Sequence, residues 1–236
     1  ALELEDLKRE VTEYPIEVSK NENDSGVTVI RHELGSTSGI AYVNLGVDLS
    51  LLSVEDIPLL PLMTRMMMET GAGEYDQVAL SRRIGTYTGG LSVTTLTTAV
   101  HPEGSSQESI LEGNNLQSKL LLRGKATSEN IGELFDLMKI VLTDANFDSQ
   151  SRVIEMLKET KAGMEAGIGG SGHSAINTRM KARYRVGGYI DEVMGGIAQL
   201  DTVRELLEQA ENDWPSLLAR LENMRSTILN ESFCRD

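Results

Sequence analysis

Three features of this 236-residue sequence predict an α+β fold, an antiparallel β-sheet packed by several α-helices. Segments rich in β-branched residues come early in the chain, and segments with apolar residues at helical offsets come late. Glycine-bearing turns of hairpin length separate the strand-like segments. That ordering is the opposite of the strict strand–helix alternation that builds a doubly wound parallel sheet.

The elements follow in order. Leu2 to Glu10 is acidic and helix-prone, with Leu4 and Leu7 on one face, and residues 1–25 read as a linker before a folded part spanning 26–236. Val27 to Leu34, bounded by Gly26 and Gly35, reads as a strand. After the turn Gly35–Gly39, a second strand alternates through Ile40 to Leu49 and is the natural hairpin partner of the first. Ser53 and Asp56 have capping-box spacing ahead of an apolar helix, Ile57 to Thr70, which has Pro58 near its start and Gly71 and Gly73 past its end. Tyr75 to Tyr87 carries Val78, Leu80 and Ile84 at helical spacing. Gly89-Gly90 then leads into a Thr-rich strand, Leu91 to Val100. Residues 103–115 are a polar surface loop, and Leu116 to Lys125 returns as a strand.

Downstream the period becomes helical. Ile131, Leu134, Phe135, Met138, Val141 and Leu142 define one helix, and Val153, Met156, Leu157 and Met164 define the next. A glycine-rich break at 167–172 is followed by helices over Ala175–Tyr184, Tyr189–Ala198 and Thr202–Ala210, the last with a Thr202/Glu205 capping box. Trp214, Leu217, Leu218, Leu221, Met224 and Ile228 form the stripe of the final helix. The segment ending at Asp236 finishes that helix as another element begins, which reads as a cut inside a fold unit.

Composition narrows the function classes. Against 36 acids stand 22 Lys and Arg, a net charge of −14, which argues against nucleic-acid and anionic-membrane surfaces and suits a cationic peptide partner. One cysteine, Cys234, excludes an internal disulfide framework and a four-cysteine zinc site, and it has no neighbour that would activate it. No apolar run reaches the ~18 residues of a membrane span. Aromatic residues make up 4% of the chain and methionines number 10, so Met63, Met66, Met67 and Met68 read as soft core filler.

Gly167-Ile168-Gly169-Gly170-Ser171-Gly172 spells G-x-G-x-x-G. In a dinucleotide site a strand delivers those glycines to a helix N-terminus, where backbone amides meet pyrophosphate. Here an amphipathic helix precedes them, so the segment reads as a helix-to-helix hinge, since glycines permit positive φ. A nest of amides holding a carboxylate or peptide backbone is the other reading. The three histidines, His32, His101 and His173, build no zinc motif: the residue three beyond each is Gly35, Gly104 or Ile176, never the glutamate of H-x-x-E-H. His173 beside Ser171 suits helix capping or hinge locking. Residues two apart seldom face each other, and no strand-turn-helix elbow makes Ser171 a nucleophile. Arg179, Lys181, Arg183 and Arg185 read as a solvated helix face or as ion-pair partners. Gly170, Ser171, Gly172 and His173 are the candidate peptide-contact or hinge residues, and no catalytic, cofactor-binding or metal residue is assigned.

The ordered pattern resembles a known family. It comprises Gly26-Val27-Thr28-Val29-Ile30-Arg31-His32-Glu33-Leu34 with Ile40-Ala41-Tyr42, Ile57-Pro58-Leu59-Leu60-Pro61-Leu62, and Ile84-Gly85-Thr86-Tyr87-Thr88-Gly89-Gly90-Leu91-Ser92-Val93. Leu122-Arg123-Gly124-Lys125-Ala126, Gly170-Ser171-Gly172-His173-Ser174-Ala175 with Arg179-Met180, and Met194-Gly195-Gly196 complete it. Over residues 11–236 the chain resembles one domain of the pitrilysin/insulysin-type zinc metallopeptidases, in the presequence protease and falcilysin branch. The resemblance implies a LuxS/mitochondrial-processing-peptidase-like domain, the third of four in a clamshell that closes around a peptide chamber. It further implies that zinc belongs to the N-terminal half of the parent protein and that the Arg/Tyr pair touching the scissile peptide lies in the fourth domain. The helix matching the zinc helix, Pro58 to Thr70, has no histidine, so the implied role is a non-catalytic wall. Implied partners are the other domains and unfolded basic peptides such as targeting presequences, with no nucleic acid or membrane, in the mitochondrial matrix or plastid. The alternative is a scaffold subunit or interaction domain of the same fold.

Overall fold

The computed structural model describes residues 13–20, 27–35, 37–100 and 116–233, with side chains to 229. The expected N-terminal helix at Leu2 to Glu10, His101, the polar loop at 103–115 and Cys234 lie outside the described residues.

The fold is α+β. Strands β1 (Glu17–Lys20) and β2 (Thr28–Arg31) form a two-stranded antiparallel ribbon. Strands β3 (Ile40–Asp48), β4 (Leu91–Ala99) and β5 (Leu116–Thr127) form an antiparallel sheet in the order β3-β5-β4. The helices are α1 (Leu60–Glu69, entered through a 3-10 turn at Ile57–Leu59), α2 (Gln77–Tyr87), α3 (Ile131–Thr143) and α4 (Gln150–Gly170). After them come α5 (Gly172–Lys181), α6 (Val186–Gly195), α7 (Ile197–Asn212) and α8 (Trp214–Phe233).

The expected hairpin between the first two strand segments is a correction. β2 pairs with β1, inside the stretch read as linker, while β3 pairs with β5 from Ile40↔Thr127 to Asp48↔Lys119. The reason is burial. β2 has four residues, all exposed, whereas β5 matches the alternation of β3 over nine residue pairs and brings Leu120, Leu122 and Ala126 to the same face as Val43, Leu45 and Val47. Short turn length counts for less than a shared apolar face.

That inner face packs against methionine and leucine from the helices. Met63, Met66 and Met67 of α1, Leu80 of α2, and Leu134, Leu137 and Val141 of α3 are buried in one cluster with Leu217, Leu221 and Met224 of α8. The methionines are thus core filler, as read from the sequence.

Two helix starts differ from expectation. α7 begins at Ile197, and Thr202 lies inside it with Oγ1 donating to the Ala198 carbonyl, so Thr202 and Glu205 form no capping box. Ser53 Oγ accepts from Glu55 N in a local turn, and Asp56 receives Arg220 of α8 at 2.7 Å instead of closing a box. The cap that does form on α2 is Asp76, accepting from Ala79 N at 2.8 Å.

Helices α1 and α4 are clamped by a polar network. Arg65 donates through Nε to Glu69 at 2.8 Å and through Nη1 to the Met156 carbonyl at 3.0 Å, and it also pairs with Glu159. Arg152 of α4 reaches the same Glu69 carboxylate at 2.7 Å. Partial burial pushes the Glu69 carboxyl upward, but the hydrogen bond and charge of Arg65, with those of Arg152, outweigh it and hold the group below its ordinary 4.5. A carboxylate with a lowered folded value contributes stability above 4.5 that is lost as pH falls through the folded value. Glu69→Gln is therefore expected to be less stable than the parent chain near neutral pH and equal to it well below the carboxylate range. Urea unfolding at the two pH values checks this, and a gap that does not change with pH contradicts it.

Candidate functional site

The glycine-rich break is a helix-to-helix junction without left-handed backbone. α4 continues through Gly163, Gly167 and Gly169 to Gly170, and only Ser171 separates it from α5. Ser171 (φ −130°, ψ 32°) donates its N–H to the Gly167 carbonyl at 2.9 Å, and its own carbonyl accepts from Ser174 N at 2.9 Å. Among the described residues the glycines with positive φ are Gly39, Gly71, Gly73 and Gly90, so the break makes no use of the freedom its glycines permit. A Cβ added at Gly167, Gly169, Gly170 or Gly172 would meet nothing within 4 Å. Gly167, Gly169 and Gly170 thus weaken the end of α4, each by about 1 kcal/mol against alanine, and leave its backbone bare. The dinucleotide reading fails on context, because helix and not strand enters the segment.

Beside the break lies a crevice of about 220 Å³ between the end of α4, α5 and the α6–α7 junction. Gly167, Ser171, Ser174 and Thr178 line one side and Gly195 and Gly196 the other. Of the four candidate residues only Ser171 takes part. His173 is exposed and its side chain makes no hydrogen bond among the described residues, so it neither caps α5 nor locks the junction. No hydrogen bond joins Ser171 and His173 into a nucleophile–base pair. The crevice can accept small or extended groups, but it holds no reacting constellation.

Glu192, on α6, is the residue the sequence reading missed. Its side chain is 7% exposed, Oε1 accepts from Ala198 N at 3.2 Å, and Arg179 stands 3.9 Å away. Glu192 thereby caps α7 from the preceding helix, where a carboxylate also suits the positive end of the helix dipole. Oε2 has no hydrogen-bond partner among the described residues. A Cβ on Gly196 would lie 2.1 Å from Oε2, so Gly196 must lack one. Gly188 is under a similar constraint, because its Cβ would lie 2.5 Å from the Lys181 carbonyl oxygen, and it sets the close approach of α5 and α6. The signal was present as a carboxylate one turn ahead of Gly195-Gly196, but it does not match a local capping box.

α1 presents Met63, Met66 and Met67 inward, with neither imidazole nor carboxylate among them, and no three His, Cys, Asp or Glu side chains converge among the described residues. His32 is exposed on the lip of a cleft of about 1300 Å³ between β2 and the outer side of β3. No helix of the described residues is long and apolar enough to cross a membrane.

A family model described as "Peptidase M-16C associated" matches residues 1–206, from the N-terminal segment into α7. The chain belongs to this peptidase-associated family. Among its relatives, "Presequence protease 1, chloroplastic/mitochondrial" of Arabidopsis thaliana is 32% identical over 234 residues, covering 99% of this chain and 20% of that protein. "Presequence protease, mitochondrial" of Aspergillus fumigatus is 28% identical over 229 residues, 94% of this chain and 20% of that protein. "Protein HypA" of Clostridium perfringens is 25% identical over 230 residues, 98% of this chain and 22% of that protein. This peptidase-associated chain therefore spans about a fifth of the length of the curated relatives it matches.

Proposed function

We propose that this peptidase-associated chain is a non-catalytic wall of the peptide chamber in an organellar zinc metalloendopeptidase that degrades short unstructured peptides, targeting presequences among them. The observation that carries the reading is the match of nearly the whole chain to one fifth of a presequence protease. The parent protein would supply zinc from its N-terminal half, and its other domains would be the partners of this chain. The names of the relatives favour the mitochondrial matrix or plastid. Support from the residues comes from α1, whose buried positions hold thioether and aliphatic side chains where a metallopeptidase helix needs two imidazoles and a glutamate. In this reading the wall encloses an unfolded chain and excludes folded proteins by size.

The test compares the 236-residue chain with the full-length protein on a basic, unstructured peptide, each supplied with zinc. Cleavage by the full-length protein alone is the expected result. Turnover by the isolated chain, or none by the zinc-loaded full-length protein, contradicts the reading.

A further inference from the structure

The sheet's outer face carries a cationic hollow that neither the core nor the chamber reading uses. Register places the outer side chains in rungs: Tyr42 opposite Lys125, and Arg123 between Asn44 and Ser92. All five residues are exposed and line a hollow of about 330 Å³. Arg123 and Lys125 are like charges two residues apart on one strand, so both project from the same face of the sheet. No carboxylate pairs with either among the described residues, in a chain with 36 acids. Asp48, the acid on the outer side of β3, sits at the far end of the strand, 3.9 Å from Lys119. Glu33, in the wider cleft above, faces Arg31 at 3.7 Å.

The cations are held from beneath. A Cβ on Gly89 would come within 3.0 Å of the Lys125 side chain, so glycine there lets the stem of Lys125 lie across the β4 entry. Gly89 N donates to the Lys125 carbonyl at 2.8 Å, which fixes that entry to β5. The hollow is thus built on a paired central strand and not on a loop. It offers a planar guanidinium fork, an ammonium, and neutral donors on Asn44, Ser92 and Tyr42. Tyr42 (64% exposed), Ile40 (37%) and Leu96 (42%) supply apolar surface on the same face.

We infer that this hollow binds a carboxylate carried by a peptide, either its C-terminus or an acidic side chain. The fork geometry matches a carboxylate in two hydrogen bonds, and the flanking apolar residues match the side chains next to it. The peptide as carrier rests on the function proposed above; the anion chemistry rests on Arg123 and Lys125 alone.

The 236-residue chain is titrated with an N-acetylated pentapeptide of alanine and leucine in three forms: free C-terminal acid, C-terminal amide, and amide with one central glutamate. Inorganic phosphate is the fourth probe. Amide shifts at 44, 92 and 123–125 are followed by NMR. At least one carboxylate-bearing form is expected to bind about tenfold more tightly than the neutral amide, and which one identifies the source of the carboxylate. Arg123→Gln with Lys125→Gln should erase the preference without moving the melting temperature. Arg123→Lys keeps the charge and loses the fork, and should lose most of the preference. Equal binding of acid and amide, absence of shifts at these residues, a preference that survives Arg123→Lys, or phosphate binding as tight as the acid overturns the inference. The cleavage assay of the full-length protein judges the chamber reading separately.

Discussion

Leu134→Ala is expected to lower unfolding free energy by about 3–5 kcal/mol, the range of a leucine truncated in a core that cannot collapse. Leu134 is fully buried at the start of α3 and rests directly on Gly124 of β5. Gly124 fills the inner position of its rung, between Val43 and Leu91. An alanine Cβ there would lie 2.5 Å from Leu134 Cδ1 and 3.4 Å from Cγ and Cδ2, so Gly124→Ala forces a buried side chain to move. That overpacking costs about 1–3 kcal/mol. With Leu134 already truncated the added methyl occupies vacated space, so the double variant should be about 1–2 kcal/mol more stable than the sum of the singles. Urea unfolding of the four proteins measures the coupling, and strict additivity contradicts the contact. The pair also bears on the outer face, because Gly124 lies between Arg123 and Lys125. Lifting β5 off α3 shifts both cations, so Gly124→Ala should weaken the carboxylate preference before the chain unfolds.

The two layers were legible in the sequence to different degrees. Helical periods in residues 131–228 gave most of the buried stripes, because an amphipathic helix records its packing in local spacing, although Phe135, read onto the stripe of α3, is 52% exposed and Leu137 takes the buried place. Leu134, Val141, Met156, Leu217 and Met224, all read that way, are buried. Strand positions were equally plain, but partners were not. Pairing of β3 with β5 links residues that lie on either side of the 49–115 stretch, and nothing in a local window encodes which apolar face will be shared. The start of α7 escaped for a related reason. Its cap, Glu192, lies on the preceding helix and folds over Gly196, so the usual serine or threonine signal was read at Thr202, where the hydroxyl bonds back to its own helix.

The site was less legible than the fold. Gly170, Ser171, Gly172 and His173 drew attention through glycine density, a cue that is local and conformational. In the fold those glycines are ordinary helical residues, and the demanding ones lie elsewhere, at Gly71, Gly124, Gly188 and Gly196. The cationic hollow lies in a segment, Leu122-Arg123-Gly124-Lys125-Ala126, that carried the resemblance but gave no sign of an anion site. Arg123 and Lys125 alternate like any solvated strand face, and only the register with Asn44 and Ser92, together with the lack of a paired acid among the described residues, distinguishes them.

Gly196→Ala is expected to be the most damaging substitution around the crevice, at about 2–4 kcal/mol. The backbone is not the obstacle, since φ −89° and ψ −162° at Gly196 are open to alanine. The obstacle is Glu192, whose Oε2, Cδ and backbone oxygen would stand 2.1, 2.6 and 2.9 Å from the new methyl. Moving that carboxylate takes the cap from Ala198 N and swings a charge that is 7% exposed away from Arg179 and the α7 N-terminus. Glu192→Ala alone should cost about 1–2 kcal/mol through the lost cap. In that background the methyl at 196 has only the backbone oxygen to meet, so the second substitution should cost much less than it does in the parent chain. Thermal unfolding of the two singles and the double provides the cycle. If Gly196→Ala costs the same with and without the Glu192 carboxylate, the strain lies in the backbone and the account of how α6 hands over to α7 is wrong.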